Sequence, residues 1–160
     1  MADKPIKRNE NIAPLSRDHY QGLLFCSRIR KGVKDNLDFG RLVAYMKWFW
    51  ENDMKMHFNS EEVNLFILPE DELTKQALSE HVIIKEKIND LSITQQPTAD
   101  DFLELAKMVD NHIRFEERIL FPHLEQTIPE DEIIRIGKIL LADEKNHCAA
   151  SYSDEFWLKK

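Results

Sequence analysis

Glycine is scarce in this chain, four residues in 160, and cysteine is scarcer still, at two. Few glycines means few of the φ > 0 turns that punctuate sheets of short strands, and the period-2 alternation of half-buried strands is hard to find anywhere along the sequence. Cys26 and Cys148 lie far apart and belong to no C-x-x-C pair. That argues against a disulfide framework and a thiolate zinc site, and leaves two reduced thiols. No apolar run approaches the ~18 residues of a membrane span, and the opening MADKPIKRNENIAP has no apolar centre of the kind a secretory signal requires. A basic surface is also lacking: 22 Lys and Arg against 29 Asp and Glu give a formal net charge of −7, a field that repels phosphates. The expectation is a soluble cytoplasmic protein without a nucleic-acid or membrane partner.

What is present is a helical rhythm. At 42% hydrophobic content, 160 residues suffice for one core and are short for two, so a single domain over residues 1–160 is expected. Apolar spacings of three and four recur from end to end. A first helix is expected from Ser16 to about Gly32, with Leu15, His19, Leu23, Cys26 and Ile29 inward. The second starts at Asp38 and runs until Pro69, its stripe being Val43, Met46, Trp50, Met54, His57, Glu61, Leu65 and Leu68. The third starts near Asp71 and shows Thr74, Ala77, His81, Ile84, Ile88 and Leu91. Thr98 and Asp101 read as a capping box for the fourth, with Phe102, Leu105, Val109, His112, Glu116 and Ile119 inward and Pro122 ending or bending it. A fifth, about 129–157, carries Ile133, Ile136, Leu140 and His147 along one side. Short connections favour antiparallel neighbours, which gives an all-α fold: an up-down-up-down four-helix bundle over about 12–124 with an additional C-terminal helix. Residues 1 to about 13 read as a loose arm. The fifth helix either covers the bundle or pairs with a second copy, which leaves a homodimer open.

Each of the first four helices thus carries one histidine on its inward face, and the second and fourth add a glutamate one turn later on the same side. Imidazoles and carboxylates in an apolar core are costly unless hydrogen-bonded throughout or filled by cations. The stretches HFNSEEVNLF (57–66) and HIRFEERILF (112–121) are offset by 55 residues (112 − 57) and share five of ten positions. Such a duplication implies a site of approximate two-fold symmetry. Four histidines and two glutamates overfill one tetrahedral zinc but suit two roughly six-coordinate ions: bridging carboxylates give each four protein donors, and one shared oxo or hydroxo ligand makes five, leaving one open position per ion. Mixed imidazole and carboxylate ligation fits iron or manganese, with zinc also compatible; iron is the expectation, since open positions on a redox-active pair suit small diatomic ligands.

His19, His57-x-x-x-Glu61, His81 and His112-x-x-x-Glu116, with an EE-x-x-LF tail on both turns, resemble the hemerythrin-like family, the HHE cation-binding domains, over about residues 12–124. The resemblance implies a non-heme di-iron site in a four-helix bundle, with an oxo or hydroxo bridge, Glu61 and Glu116 as carboxylate bridges, and His19, His57, His81 and His112 as terminal ligands. Two departures matter. Oxygen-carrying members have a fifth histidine four residues from the third helix's first, where this chain has Ala77 and Lys85, and they place an aspartate five residues after the last histidine, where this chain has Glu116 at four. The resemblance is therefore nearer to the four-histidine, two-glutamate iron-centre repair proteins, whose additional N-terminal cysteine-containing domain has no counterpart in these residues. The open positions point to binding or sensing of oxygen, nitric oxide or peroxide, while the two departures argue against reversible oxygen carriage; the alternatives are a stress-response enzyme reducing nitric oxide or peroxide, and an iron donor to damaged iron–sulfur centres.

Other polar residues have plainer readings. Glu62 and Glu117 lie five residues after their histidines, turned away from that face and expected to be solvated. Asp53 precedes His57 by one turn, but its counterpart in the other repeat is Met108, which argues against a role shared by both halves. His123 and His147 are expected at the surface. A ferritin-like oxidase would show Glu-x-x-His on two helices, and only Glu144–His147 has that spacing here. A metal-free interaction bundle with pH-sensitive histidines is the remaining competitor.

Overall fold

The computed structural model describes residues 7–147 and 151–158. Five helices and no strand occur among them: α1 (Ala13–Lys34), α2 (39–65), α3 (Glu72–Ile93), α4 (99–127) and α5 (Glu130–Asn146). No helix among the described residues is long and apolar enough to cross a membrane. The caps fall where the sequence puts them. Asp38 accepts from the Gly40 amide and Asp71 from that of Thr74, while Thr98 and Asp101 satisfy each other's backbone N–H. Each such cap is worth about 1 kcal/mol.

The N-terminal segment departs from the expectation. Helix α1 begins at Ala13, because Pro14 suits a first helical turn, where its missing N–H costs nothing. Residues 7–12 do not form a loose arm: Ile12 is fully buried, and the Arg8 guanidinium pairs with Glu117 and Glu125 at 2.9 and 3.0 Å. The rest of the expected arm, residues 1–6, lies outside the described residues.

Helices α2 and α4 are not uniform. Helix α2 is α-helical over Phe39–Phe49 and Lys55–Ser60, with π turns at Trp50–Met54 and Glu61–Leu65; α4 is α-helical over Ala99–Phe115 and Phe121–Thr127, with a π turn at Glu116–Leu120. Their N–H groups reach back five residues: Lys55 to Trp50, Phe66 to Glu61, Phe121 to Glu116. Each π turn takes up one more residue and rephases the buried face. Before the first one the inward residues are Leu42, Tyr45, Met46 and Phe49 rather than Val43 and Trp50; a five-residue step to Met54 then brings His57, Glu61 and Leu65 inside. In α4 the same widening puts Leu120 in the core and leaves Ile119 about half exposed. The helix also passes through Pro122 to Thr127, since the π turn opens a fresh segment whose first turn tolerates proline.

On α1 the inward residues are Gly22 and Phe25 rather than Leu23. A Cβ on Gly22 would lie 2.7 Å from Ile113 Cδ1, so its bare backbone is what lets α1 approach α4. Helix α5 ends at Asn146, not near 157. Tyr152, Phe156 and Trp157 instead fold back over Tyr45, with ring centroids 5.3 to 5.4 Å away, which a straight continuation of α5 would not permit. Cys148 lies outside the described residues; Cys26 is a buried free thiol.

Two apolar clusters result. One gathers Phe25, Tyr45, Phe58, Ile84 and Ile113, the other Leu15, Leu65, Ala77, Leu120 and Phe121. The inward histidines and glutamates occupy the layer between them: His19 follows Leu15 and precedes Phe25, Glu61 lies between Phe58 and Leu65, His81 between Ala77 and Ile84, Glu116 between Ile113 and Leu120.

Candidate metal centre

All six inward polar residues meet in that layer. Glu61 and Glu116 are fully buried, and none of His19, His57, His81 and His112 is more than 9% exposed. Nε2 of His57 and of His81 each lies 3.2 Å from Oε1 of Glu61, and Nε2 of His19 and of His112 each lies 3.1 Å from Oε1 of Glu116. Two groups follow, each with ligand atoms within 4.8 Å of one another: His19, His57, Glu61 and Glu116, and Glu61, His81, His112 and Glu116. Both glutamates belong to both groups. Each group offers two imidazole nitrogens and two carboxylates, a donor set that could hold a first-row divalent cation.

The outward ring nitrogens are faced by acids. Nδ1 of His19 donates to Glu117 at 2.7 Å, that of His57 to Asp18 at 3.1 Å and that of His112 to Glu80 at 2.8 Å; Nδ1 of His81 lies 3.4 Å from Glu62 without a hydrogen bond. A carboxylate on Nδ1 fixes the tautomer and turns the Nε2 lone pair toward the centre. The expectation that Glu117 is solvated is thereby corrected. Five residues at about 100° each turn Glu117 away from its own helix's site face, but toward α1, where His19 waits. Glu62 is the more open of the two, at 44%. The carboxylates missed at the sequence level are Asp18 and Glu80. Each immediately precedes an inward histidine and serves the histidine of a neighbouring helix, so the signal was a repeated acid–His pair read across the two-fold relation.

The electrostatics favour positive charge. Burial pulls His57 toward neutrality, but Glu61, Asp18 and Glu116 outweigh it and hold the ring well above the usual histidine range; His19 is raised in the same way by Glu116 and Glu117. His112 is pushed up to about 10, with Glu116, Glu80 and Glu61 overcoming its burial. For Glu116, burial is again overcome, here by His112 and His19, and the carboxyl stays well below its ordinary range. Without a cation, protons on the imidazoles supply the charge the carboxylates call for.

A cleft of about 520 Å³ opens between α1, α2 and α5, lined by Asp18, Asp53, Met56, His57, Leu140 and His147 among others. Beside it, a smaller cavity of about 20 Å³ lies against His19, His57 and His112, walled by Gly22, Phe49, Val109 and Ile113. The two share Asp18, Asp53 and His57. Asp53 therefore stands at their junction but makes no hydrogen bond to His57, whose acid partner is Asp18; burial and Asp18 push the Asp53 carboxyl up to about 6. His147 is exposed, and Glu144 pairs with Arg17, so the lone Glu-x-x-His is no part of the buried layer. His123 is about one-third exposed and bonds Asp71 at 2.6 Å. Ala77 is packed in the apolar cluster and Lys85 is exposed, so the third helix adds no second inward donor.

The fit of these residues to cations shows in what they leave unpaired. His57 Nε2, both oxygens of Glu61, both ring nitrogens of His81, His112 Nε2 and Glu116 Oε2 are buried side-chain atoms without a hydrogen-bond partner. Orphans of this kind cost about 1–3 kcal/mol each, more when charged, and their concentration at one point is what a cation would relieve. A family model described as the Hemerythrin HHE cation binding domain matches residues 10–124. No curated protein and no solved structure matches the chain.

Proposed function

The chain belongs to the hemerythrin HHE cation-binding family, and from that premise we propose that it is a non-heme di-iron protein that binds or senses a small ligand such as oxygen, nitric oxide or peroxide. In this reading His19 and His57 would hold one ion, His81 and His112 would hold the other, and Glu61 and Glu116 would each contribute to both. One observation carries it: the same two buried carboxylates complete both four-residue groups. The placement of one histidine on each of α1 to α4 favours the up-down-up-down bundle as the frame. Imidazole and carboxylate donors suit iron, manganese and zinc alike, and when bound an iron pair supplies redox electrons and open positions for a small ligand.

The protein's own residues define what can reach that layer. A cavity of about 20 Å³ holds little more than one water-sized molecule, which favours a ligand of two or three atoms over an organic substrate. Its walls are mostly apolar, and the cleft beside α5, which shares Asp18, Asp53 and His57 with it, offers a route to it. The carboxylates on Nδ1 keep three of the rings oriented, with Nε2 toward the centre.

The test is an anaerobic loading with ferrous iron, followed by spectra before and after oxygen and nitric oxide. A new absorption band that disappears on purging, with the ligand recovered intact, supports the binder. Consumption of nitric oxide or peroxide supports the enzyme alternative, and loss of iron on exposure supports the donor. No spectral change with any ligand would refute all three.

A further inference from the structure

The two halves of the centre are not equal, and the inequality comes from a residue before the family match begins. Arg8 is 9% exposed, and its guanidinium donates to four acceptors: Ser16 Oγ at 3.2 Å, Glu125 Oε1 at 3.0 Å, the Glu117 carbonyl at 2.6 Å and Glu117 Oε2 at 2.9 Å. Ser16 also donates to Glu117 Oε2, at 3.0 Å. With His19 on Oε1, Glu117 has both oxygens engaged and one fixed rotamer. Arg8 further sits 5.3 Å over the Phe121 ring, which stacks on His19.

The offset that carries His19 onto His81 carries Arg8 onto Glu70 and Ser16 onto Leu78. Neither residue can do the same work: one has the wrong charge and the other no donor. The counterpart of Glu117 is Glu62, which is 44% exposed and 3.4 Å from a ring nitrogen left without a hydrogen bond. The other two pairs, Asp18 on His57 and Glu80 on His112, are both made, so the contrast lies between His19 and His81.

We propose that Arg8 is a positioning residue that makes the two metal positions unequal, so that a divalent cation fills the His19–His57 position before the His81–His112 position. The proposal rests on the two-metal reading above. A ring whose Nδ1 is held by a carboxylate already has its tautomer and its Nε2 lone pair set for the cation, whereas His81 is held by its stack on Phe58 at 3.8 Å but has no acid bonded to Nδ1. The charge of Arg8 does not cancel this, because it is shared between Glu117 and Glu125, which leaves the trio at −1 overall. Loss of such an outer partner lowers metal affinity about 10–100-fold, and that sets the expected size of the inequality.

The experiment is a titration of the metal-free full chain with Co²⁺ alone, followed by visible absorption and calorimetry. Two steps are expected, the first at least tenfold tighter. Arg8→Gln should weaken the first step about 10–100-fold and merge it with the second, Arg8→Lys should restore part of the gap, and Ser16→Ala, a milder change, should narrow it. His112→Ala should keep the tight step and His57→Ala should lose it. Two equal equivalents in the parent protein would overturn this proposal and leave the two-metal reading standing; no bound Co²⁺ would overturn both. Unchanged steps in a folded Arg8→Gln protein with a lowered Tm would show that Arg8 only ties down the N-terminal segment, which also overturns the proposal.

Discussion

Glu80 accepts from Nδ1 of His112 at 2.8 Å, while its sequence neighbour His81 turns into the buried layer. One dipeptide on α3 thus supplies a candidate ligand and also steadies one on α4. Asp18 and His19 do the same for His57. Glu80→Ala should leave the fold intact, since Glu80 is a partly exposed acid at 27%, but free the His112 ring and lower cation affinity about 10–100-fold. Competition against a chelator of known strength measures this, and an unchanged affinity would show that Glu80 has no part in holding the ring.

Gly22 faces both Ile113 and the small cavity. A methyl at this position meets the flexible end of Ile113 at 2.7 Å, so Gly22→Ala should cost about 1–3 kcal/mol from overpacking and no more. With the cavity narrowed, the variant should keep its cations yet respond more slowly to oxygen or nitric oxide. Stopped-flow traces on cation-loaded protein of equal metal content decide it; a response as fast as the parent's would remove the cavity from the ligand's path.

Protons and cations compete for the same nitrogens. His112 titrates at about 10 without metal, so at pH 7 it holds a proton that an incoming cation must displace. Apparent affinity should therefore rise with pH up to about 10, with proton release on binding at every lower pH. In the metal-free chain the same raised value contributes stability that is complete below the free-histidine value of 6.5 and is lost as pH climbs through about 10. Calorimetry in buffers of different ionisation enthalpy, paired with melting curves of the metal-free protein, checks both signs.

Cys26 is 1% exposed and donates to the Ala106 carbonyl, and burial pushes its thiol up to about 12. A protonated, enclosed thiol is a poor nucleophile. Iodoacetamide at pH 8 should leave Cys26 unmodified in the native protein and label it readily in urea, as peptide mass spectrometry would report. Rapid native labelling would mean that α1 and α4 part far more often than their packing implies.

Much of the buried layer was legible because charge in an apolar stripe is conspicuous. His19, His57, Glu61, His81, His112 and Glu116 stood out for that reason, and the buried face of α3 was read residue for residue. The errors cluster where helical phase changes. A constant pitch predicts Val43, Trp50 and Ile119 inside; π turns at Trp50–Met54 and Glu116–Leu120 put Leu42, Phe49 and Leu120 there instead. A π turn has no local composition that announces it, since its cost is repaid by what its neighbours bury. Glu117, Asp18 and Glu80 were missed for another reason: their role lies on a neighbouring helix, and periodicity along one helix does not reveal what faces it. Arg8 and the C-terminal aromatics are tertiary docking of the same kind.

The central claim is that six buried side chains hold two cations between them. Metal analysis of protein loaded anaerobically with ferrous iron, set beside the Glu61→Ala/Glu116→Ala double variant, tests it most directly. The account predicts two ions per chain in the parent and essentially none in the variant. A single ion per chain, or a double variant that loads fully, would contradict it.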